Sequence, residues 1–176
     1  MKKNYTKDTR FLTILAMLLA IAVVLGIYSI RIGSGIKISF KFISVFVTSA
    51  LFGPLYGGVC GFLSDFLAYL FNPAGGAYMP QIGLVEALYG ISFGLFFYNR
   101  SGVNFKNIVR LLICLVLNST LLSLGLMSYF LSKLMGMTFL NTLIMRVPST
   151  ILNTLIHFTL ILVVLKILPK FKNIFN

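Results

Sequence analysis

The chain alternates long apolar runs with short polar breaks, and most of the runs are of membrane-spanning length. The first runs from Phe11 to Ile30, with Lys2, Lys3, Lys7 and Arg10 ahead of it. No small-x-small cleavage pattern closes it, so it reads as a retained helix rather than a signal peptide. A second, shorter run starts near Phe42 and stops at Gly53-Pro54. A third covers about 55–71 and ends in the turn cluster Asn72-Pro73-Ala74-Gly75-Gly76. A fourth covers about 81–98, and the polar stretch Asn99-Arg100-Ser101-Gly102 follows it. A fifth covers about 109–131 and a sixth about 147–168, with Pro169 expected to close it. A spanning helix takes about 20 residues. The predicted fold is therefore an all-α integral membrane protein of six transmembrane helices. They form a single membrane domain over 1–176, with helices at about 11–30, 42–53, 55–71, 81–98, 109–131 and 147–168.

Composition removes the soluble alternatives. Hydrophobic residues make up 59% and charged residues 10%, where a soluble domain is about a quarter charged. Only three acids are present: Asp8, Asp65 and Glu86. A disordered tail, a disulfide-stapled secreted domain and a soluble enzyme are excluded. Cys60 and Cys114 both fall inside apolar runs and read as small buried hydrophobes.

The net charge of +12 is topological and does not point to nucleic acid, because no soluble fold presents the basic residues as a cluster. With both termini cytoplasmic, ten Lys and Arg residues fall on the inner side. The other five, Arg31, Lys37, Lys41, Lys133 and Arg146, fall on the outer side. That asymmetry follows the positive-inside tendency. It leaves five outer cations with no acid in an outer loop to balance them.

Polar residues inside the runs are the candidate chemistry. Asp65 and Glu86 lie about seven and five residues below the outer ends of their helices. At 1.5 Å per residue both sit roughly 8–10 Å deep. An intramembrane carboxylate is costly and marks a site by default, and a structural ion pair is the alternative. In the last helix Arg146, Thr150, Asn153 and His157 share one face, which must meet protein or a water-filled cavity. Interhelical bonding is the other reading for Asn153 and His157. The single His has no partner at ligand spacing, so no metal site is expected. Asn118, Ser119, Thr120 and Ser123 read as glue between helices. Tyr28, Phe40, Phe66, Tyr69 and Tyr78 gather near the two carboxylates, as belt aromatics or as stacking surfaces. Gly53, Gly57, Gly61 and the pair Gly90 and Gly94 are spaced for close helix contact, and the first group is expected between the second and third helices. Ala16 and Ala20 repeat that spacing on the first helix, either internally or as a docking face.

These features describe an outward cavity with cations on its rim and carboxylates and aromatics in its walls. The complementary ligand has an anionic end and a flat, donor-rich end. No phosphate-binding loop and no nucleophile triad are present, so active transport would need ATPase partners and catalysis is not expected.

The run from Leu51 through Gly53-Pro54, Gly57-Gly58 and Gly61 to Ser64-Asp65, followed by Pro73-Ala74-Gly75-Gly76-Ala77-Tyr78-Met79-Pro80, resembles S components of energy-coupling factor (ECF) transporters. Arg31 followed by Ile36-Lys37-Ile38-Ser39-Phe40, and Arg146-Val147-Pro148-Ser149, match the folate family within that group. The resemblance covers about 11–168. It implies a six-helix, high-affinity vitamin-binding subunit in a prokaryotic plasma membrane. Such a subunit docks on a membrane T component joined to two cytoplasmic ATPases, and topples to release its substrate inside. ATP is then used by the partners, and this chain binds no cofactor. Ala16 and Ala20 match the family's docking motif. Segments 31–41, 72–80 and 132–146 correspond to the loops that close over the ligand.

The expected substrate is folate. Its pterin head suits Asp65 or Glu86, its rings suit Phe40, Tyr69 and Tyr78, and its glutamate tail suits Arg31, Lys37 or Arg146. Asn153 and His157 complete the candidate site. The alternatives are a pantothenate-, queuosine-precursor- or pyrimidine-type vitamin, a membrane scaffold without a ligand, and a membrane enzyme.

Overall fold

The computed structural model describes residues 9–32, 36–72, 78–98, 100 and 102–175, with side chains given except at 30–32, 36–38, 135 and 170–175. The chain forms α1 (Thr9–Ile27), strands β1 (Ile30–Ile32) and β2 (Ile36–Ile38), α2 (Lys41–Phe52), α3 (Pro54–Phe71) and α4 (Pro80–Phe97). Then come α5 (Phe105–Leu117), a π-wound segment (Asn118–Met127), α6 (Ser128–Met135) and α7 (Phe139–Phe175). α5, the π segment and α6 make one rod, so the bundle has six rods. Five of these spans are long and apolar enough to cross a membrane, and α2 is the shorter sixth. β1 and β2 pair antiparallel, with Arg31 opposite Lys37. This small hairpin is the exception to the all-α expectation.

The outsides of the helices are apolar. Phe105 is 80% and Leu55 is 72% exposed, surface that only lipid can cover. At about 18 Å, α2 is too short to cross a 30 Å hydrocarbon core by itself. It buries eight of its twelve residues and is carried by its neighbours. Phe42, Phe46 and Ala50 of α2 join Phe93 and Phe97, Leu111, Cys114 and Leu115, and Ile161, Leu165 and Leu168 in the main core. The Phe46 ring meets Phe93 and Phe97 edge-on at 5.5 and 5.2 Å.

Gly53 alone joins α2 to α3. Its φ of +101° suits glycine, and Pro54 follows in the first turn of α3. The break read at Gly53-Pro54 is therefore correct.

Two helix ends differ from the sequence reading. The last helix, expected over 147–168, starts at Phe139 and carries both Pro148 and Pro169 inside it. Gly136 in the left-handed region (φ +64°) ends α6. Only 136–138 separate α6 from α7, so most of the expected loop 132–146 is helix. No helix breaker lies between Phe139 and Arg146. Pro169 does not stop the helix because the carbonyl it strands has another donor. Pro169 has no N–H for Leu165, and that carbonyl accepts the Gly102 N–H at 3.3 Å.

Candidate substrate-binding cavity

Glycine spacing sets the first wall of the site. A Cβ on Gly57 or Gly90 would run into the other's backbone, and one on Gly61 would strike the Glu86 carbonyl. α3 and α4 therefore touch backbone to backbone. The glycine pattern closes α3 mainly on α4, where the sequence had suggested the second and third helices. Ser49 of α2 donates to the Val45 carbonyl at 2.7 Å and the Gly90 carbonyl at 2.9 Å. That ties α2 into the same contact. Asp65 is four residues beyond Gly61, and Glu86 sits across from Gly61. The two carboxylates thus come to one level on adjacent helices, as the helical rise predicts.

Between them lies Lys41, the first residue of α2. Its ammonium is 3.3 Å from Asp65 Oδ1 and 3.1 Å from Glu86 Oε2. The side chains are 8, 18 and 25% exposed, respectively. This corrects the reading of Lys41 as an outer cation without an acid to balance it. Its partners come from helices distant in sequence, which one-helix periodicity does not show. It also joins the two readings of the carboxylates, because the ion-paired groups face a cavity.

That cavity has a volume of about 590 Å³, in the range of small-molecule sites. Lys41, Asp65, Tyr69, Tyr78, Glu86, Tyr89, Arg146, Asn153 and His157 all line it. The Phe66 and Tyr69 rings contact Tyr78 at 5.2 and 5.1 Å. The Tyr78 hydroxyl is buried with no hydrogen-bond partner among the described residues. Burial, then the nearby Asp65 charge, raise its pKa above the usual phenol value, so it stays a donor at neutral pH.

Arg146 forms the other pole. One guanidinium nitrogen, Nη2, is 3.5 Å from Ser123 Oγ, which lies 3.1 Å from Thr150 Oγ1. The other, Nη1, is buried with no partner among the described residues. It is suited to an anionic acceptor. The polar stripe of the last helix does face a cavity. Asn153 donates to the Ser149 carbonyl at 2.8 Å. The His157 ring lies on Phe42 with centroids 3.6 Å apart.

The π segment adds Asn118, Ser119, Ser123 and Met127 to the wall. Asn118 is also glue, as expected: its Oδ1 accepts from Ser92 Oγ at 2.8 Å, and its carbonyl from the Tyr89 hydroxyl at 3.4 Å. Thr120 faces outward, bonding the Val116 carbonyl. Phe40 precedes α2 and is not among the lining residues, and Tyr28 is 76% exposed, away from the site. The side chains of Arg31 and Lys37 lie outside the described residues. Ala16 and Ala20 are both exposed, one turn apart on α1. No group of three or more His, Cys, Asp or Glu able to hold a metal occurs among the described residues. Lys41, Ser123 and the methionines Met79, Met127, Met137 and Met145 are among the lining residues that sequence reasoning did not place at the ligand. Only the position of Lys41 directly before an apolar run hinted at burial.

Known proteins resemble this chain in sequence and in fold. The family described as ECF transporter, substrate-specific component, matches residues 10–168. The folate transporter FolT of Clostridium novyi (strain NT) is 33% identical over 101 residues, or 57% of this chain. That match spans only 56% of the relative's own length. A crystal structure of FolT bound with folic acid superposes with a TM-score of 0.73 at 25% identity, covering 89% of this chain and 90% of that one.

Proposed function

The chain belongs to the substrate-specific components of ECF transporters, a family of multi-pass membrane transport subunits rather than enzymes, and from that premise we propose that it binds folate. One observation carries the substrate reading. A single cavity has a carboxylate pole, Asp65 and Glu86 bridged by Lys41, and an arginine pole with an open Nη1 on Arg146. Folate has matching ends. Its pterin edge donates N–H groups to the carboxylates, and its glutamate accepts from Arg146. Tyr69 and Tyr78 offer ring faces, and the stacked Phe42 and His157 rings add a further aromatic surface to the lining. The relatives named above support this assignment.

As a transport subunit it captures folate on the outer side of the plasma membrane, with both termini cytoplasmic. Arg31 and Lys37, opposite each other on the hairpin, are the further cations proposed for the glutamate tail. A membrane T component docks on the exposed Ala16 and Ala20, where small side chains allow close helix approach. Two ATPases complete the importer and consume the ATP.

Calorimetric titration of the purified, detergent-solubilised protein with folic acid tests the substrate. Saturable one-to-one binding is the expected result. Absence of heat from folded protein with folic acid and its reduced forms would remove folate. Binding of another vitamin from a panel would then name the substrate.

A further inference from the structure

The ion-paired trio leaves a charge unmatched. One ammonium faces two carboxylates, so with all three ionised this wall carries one net negative charge. Lys41 reaches only one oxygen of each carboxylate. Its own nitrogen is the most buried of the three groups, so the surplus rests on the carboxylates that face the cavity. The other titratable groups lining that space are Tyr78 ahead of α4, Tyr69 on α3, Tyr89 on α4, and Arg146 and His157 on α7. Arg146 is engaged with Ser123 on the far wall. A surplus negative charge facing a cavity favours an occupant that brings positive charge.

We propose that Lys41 is a specificity-determining residue that selects the charge of the ligand's head. By cancelling one carboxylate and not both, it leaves the site matched to a heterocycle with an amidine-type edge that can arrive with a proton. A 2-amino-4-oxo pteridine offers that edge neutral. A 2,4-diaminopteridine takes a solvent proton at ring N1 and offers the same edge as a cation to the surplus negative charge. Charge-assisted bonds are the stronger kind. The site therefore holds the diamino head as a cation, at least as tightly as the oxo head. This inference rests on the folate reading of the cavity.

The test compares folic acid with its 4-amino analogue, by calorimetry at neutral pH and by the absorption spectrum of the bound analogue. For the unaltered protein the analogue binds as tightly or tighter, and its bound spectrum is that of the N1-protonated ring. Lys41→Met shifts the affinity ratio about tenfold further towards the analogue. Asp65→Asn shifts it about tenfold towards folic acid, and still decides the matter if Lys41→Met does not fold. A neutral-ring spectrum in the bound analogue overturns the proposal. So does a ratio that neither variant moves while folic acid still binds, and the folate reading then stands. Failure of both ligands to bind the folded, unaltered protein overturns both readings together.

Discussion

The two walls of the cavity are built by different means. On the carboxylate side, α3 and α4 meet through glycines, with the Gly90 backbone against Gly57 and the Gly94 position against Pro54. α2 is pinned to that contact through Ser49. On the arginine side, the π segment and α7 meet through hydroxyls, Ser123 to Thr150 and Ser123 to Arg146, with methionines at the rim. A third of the spanning window of α4 is buried (33%), against 17% for α7. Backbone contact leaves no side-chain freedom to lose, so the carboxylates are held in place before a ligand arrives. Flexible methionines and long hydroxyl contacts let the other wall adjust. The comparison predicts a rigid end that recognises and a compliant end that closes.

The strongest way to break it is to push the glycine helices apart. Gly90→Ala places a methyl group on the Gly57 backbone, which has no side chain to swing away. Overpacking of this kind costs about 3 kcal/mol or more. A large drop in melting temperature in detergent is expected, with loss of folate binding, since Asp65 and Glu86 sit on the helices being separated. A stable, fully binding Gly90→Ala protein would show that the carboxylate wall is not rigid.

Next in size is Arg146→Ala. Loss of one charge-assisted contact costs about 1.5–3 kcal/mol, roughly 10–100-fold in affinity for folic acid. Pteroic acid, which lacks the glutamate, should lose less than about threefold. Equal loss for both ligands in a titration would place Arg146 in holding the wall rather than the tail.

Ser92→Ala probes the seam between the walls. Ser92 donates to Asn118 at the start of the π segment. The variant leaves a buried amide oxygen with one partner fewer, at about 1–2 kcal/mol. Thermal unfolding should report that loss, with folate affinity reduced less than by Arg146→Ala.

The rigid wall was the more legible in sequence. Glycine spacing and the 1.5 Å rise put Asp65 and Glu86 at one level, because both are local to single helices and repeat regularly. The stripe Arg146, Thr150, Asn153 and His157 was readable for the same reason. Lys41 was not, since an ion pair between helices leaves no periodic trace in either. Pro169 misled. Whether a proline ends a helix depends on who satisfies the carbonyl it strands, and for Pro169 the answer is Gly102, far away in sequence. The winding of the π segment also has no signal in its residues, whose polar members read as ordinary glue between helices.

The smallest predicted effect is the sharpest test of the contrast. Gly125 lies in the π segment, and a Cβ there would meet only the Thr120 carbonyl, at an ordinary 3.5 Å. Replacing it by alanine adds no clash and removes backbone freedom from the unfolded chain. Gly125→Ala should therefore be neutral or stabilising by up to about 1 kcal/mol. The same chemical change, one methyl group on a helical glycine, thus has opposite consequences on the two walls. If the compliant wall must flex to admit the ligand, Gly125→Ala should slow folate association while leaving the melting temperature level or raised. Stopped-flow mixing, following the absorbance of folic acid, reads that rate. An unchanged rate beside a raised melting temperature would mean that the wall closes without bending at the π segment, and the flexibility would then belong to the methionine side chains alone.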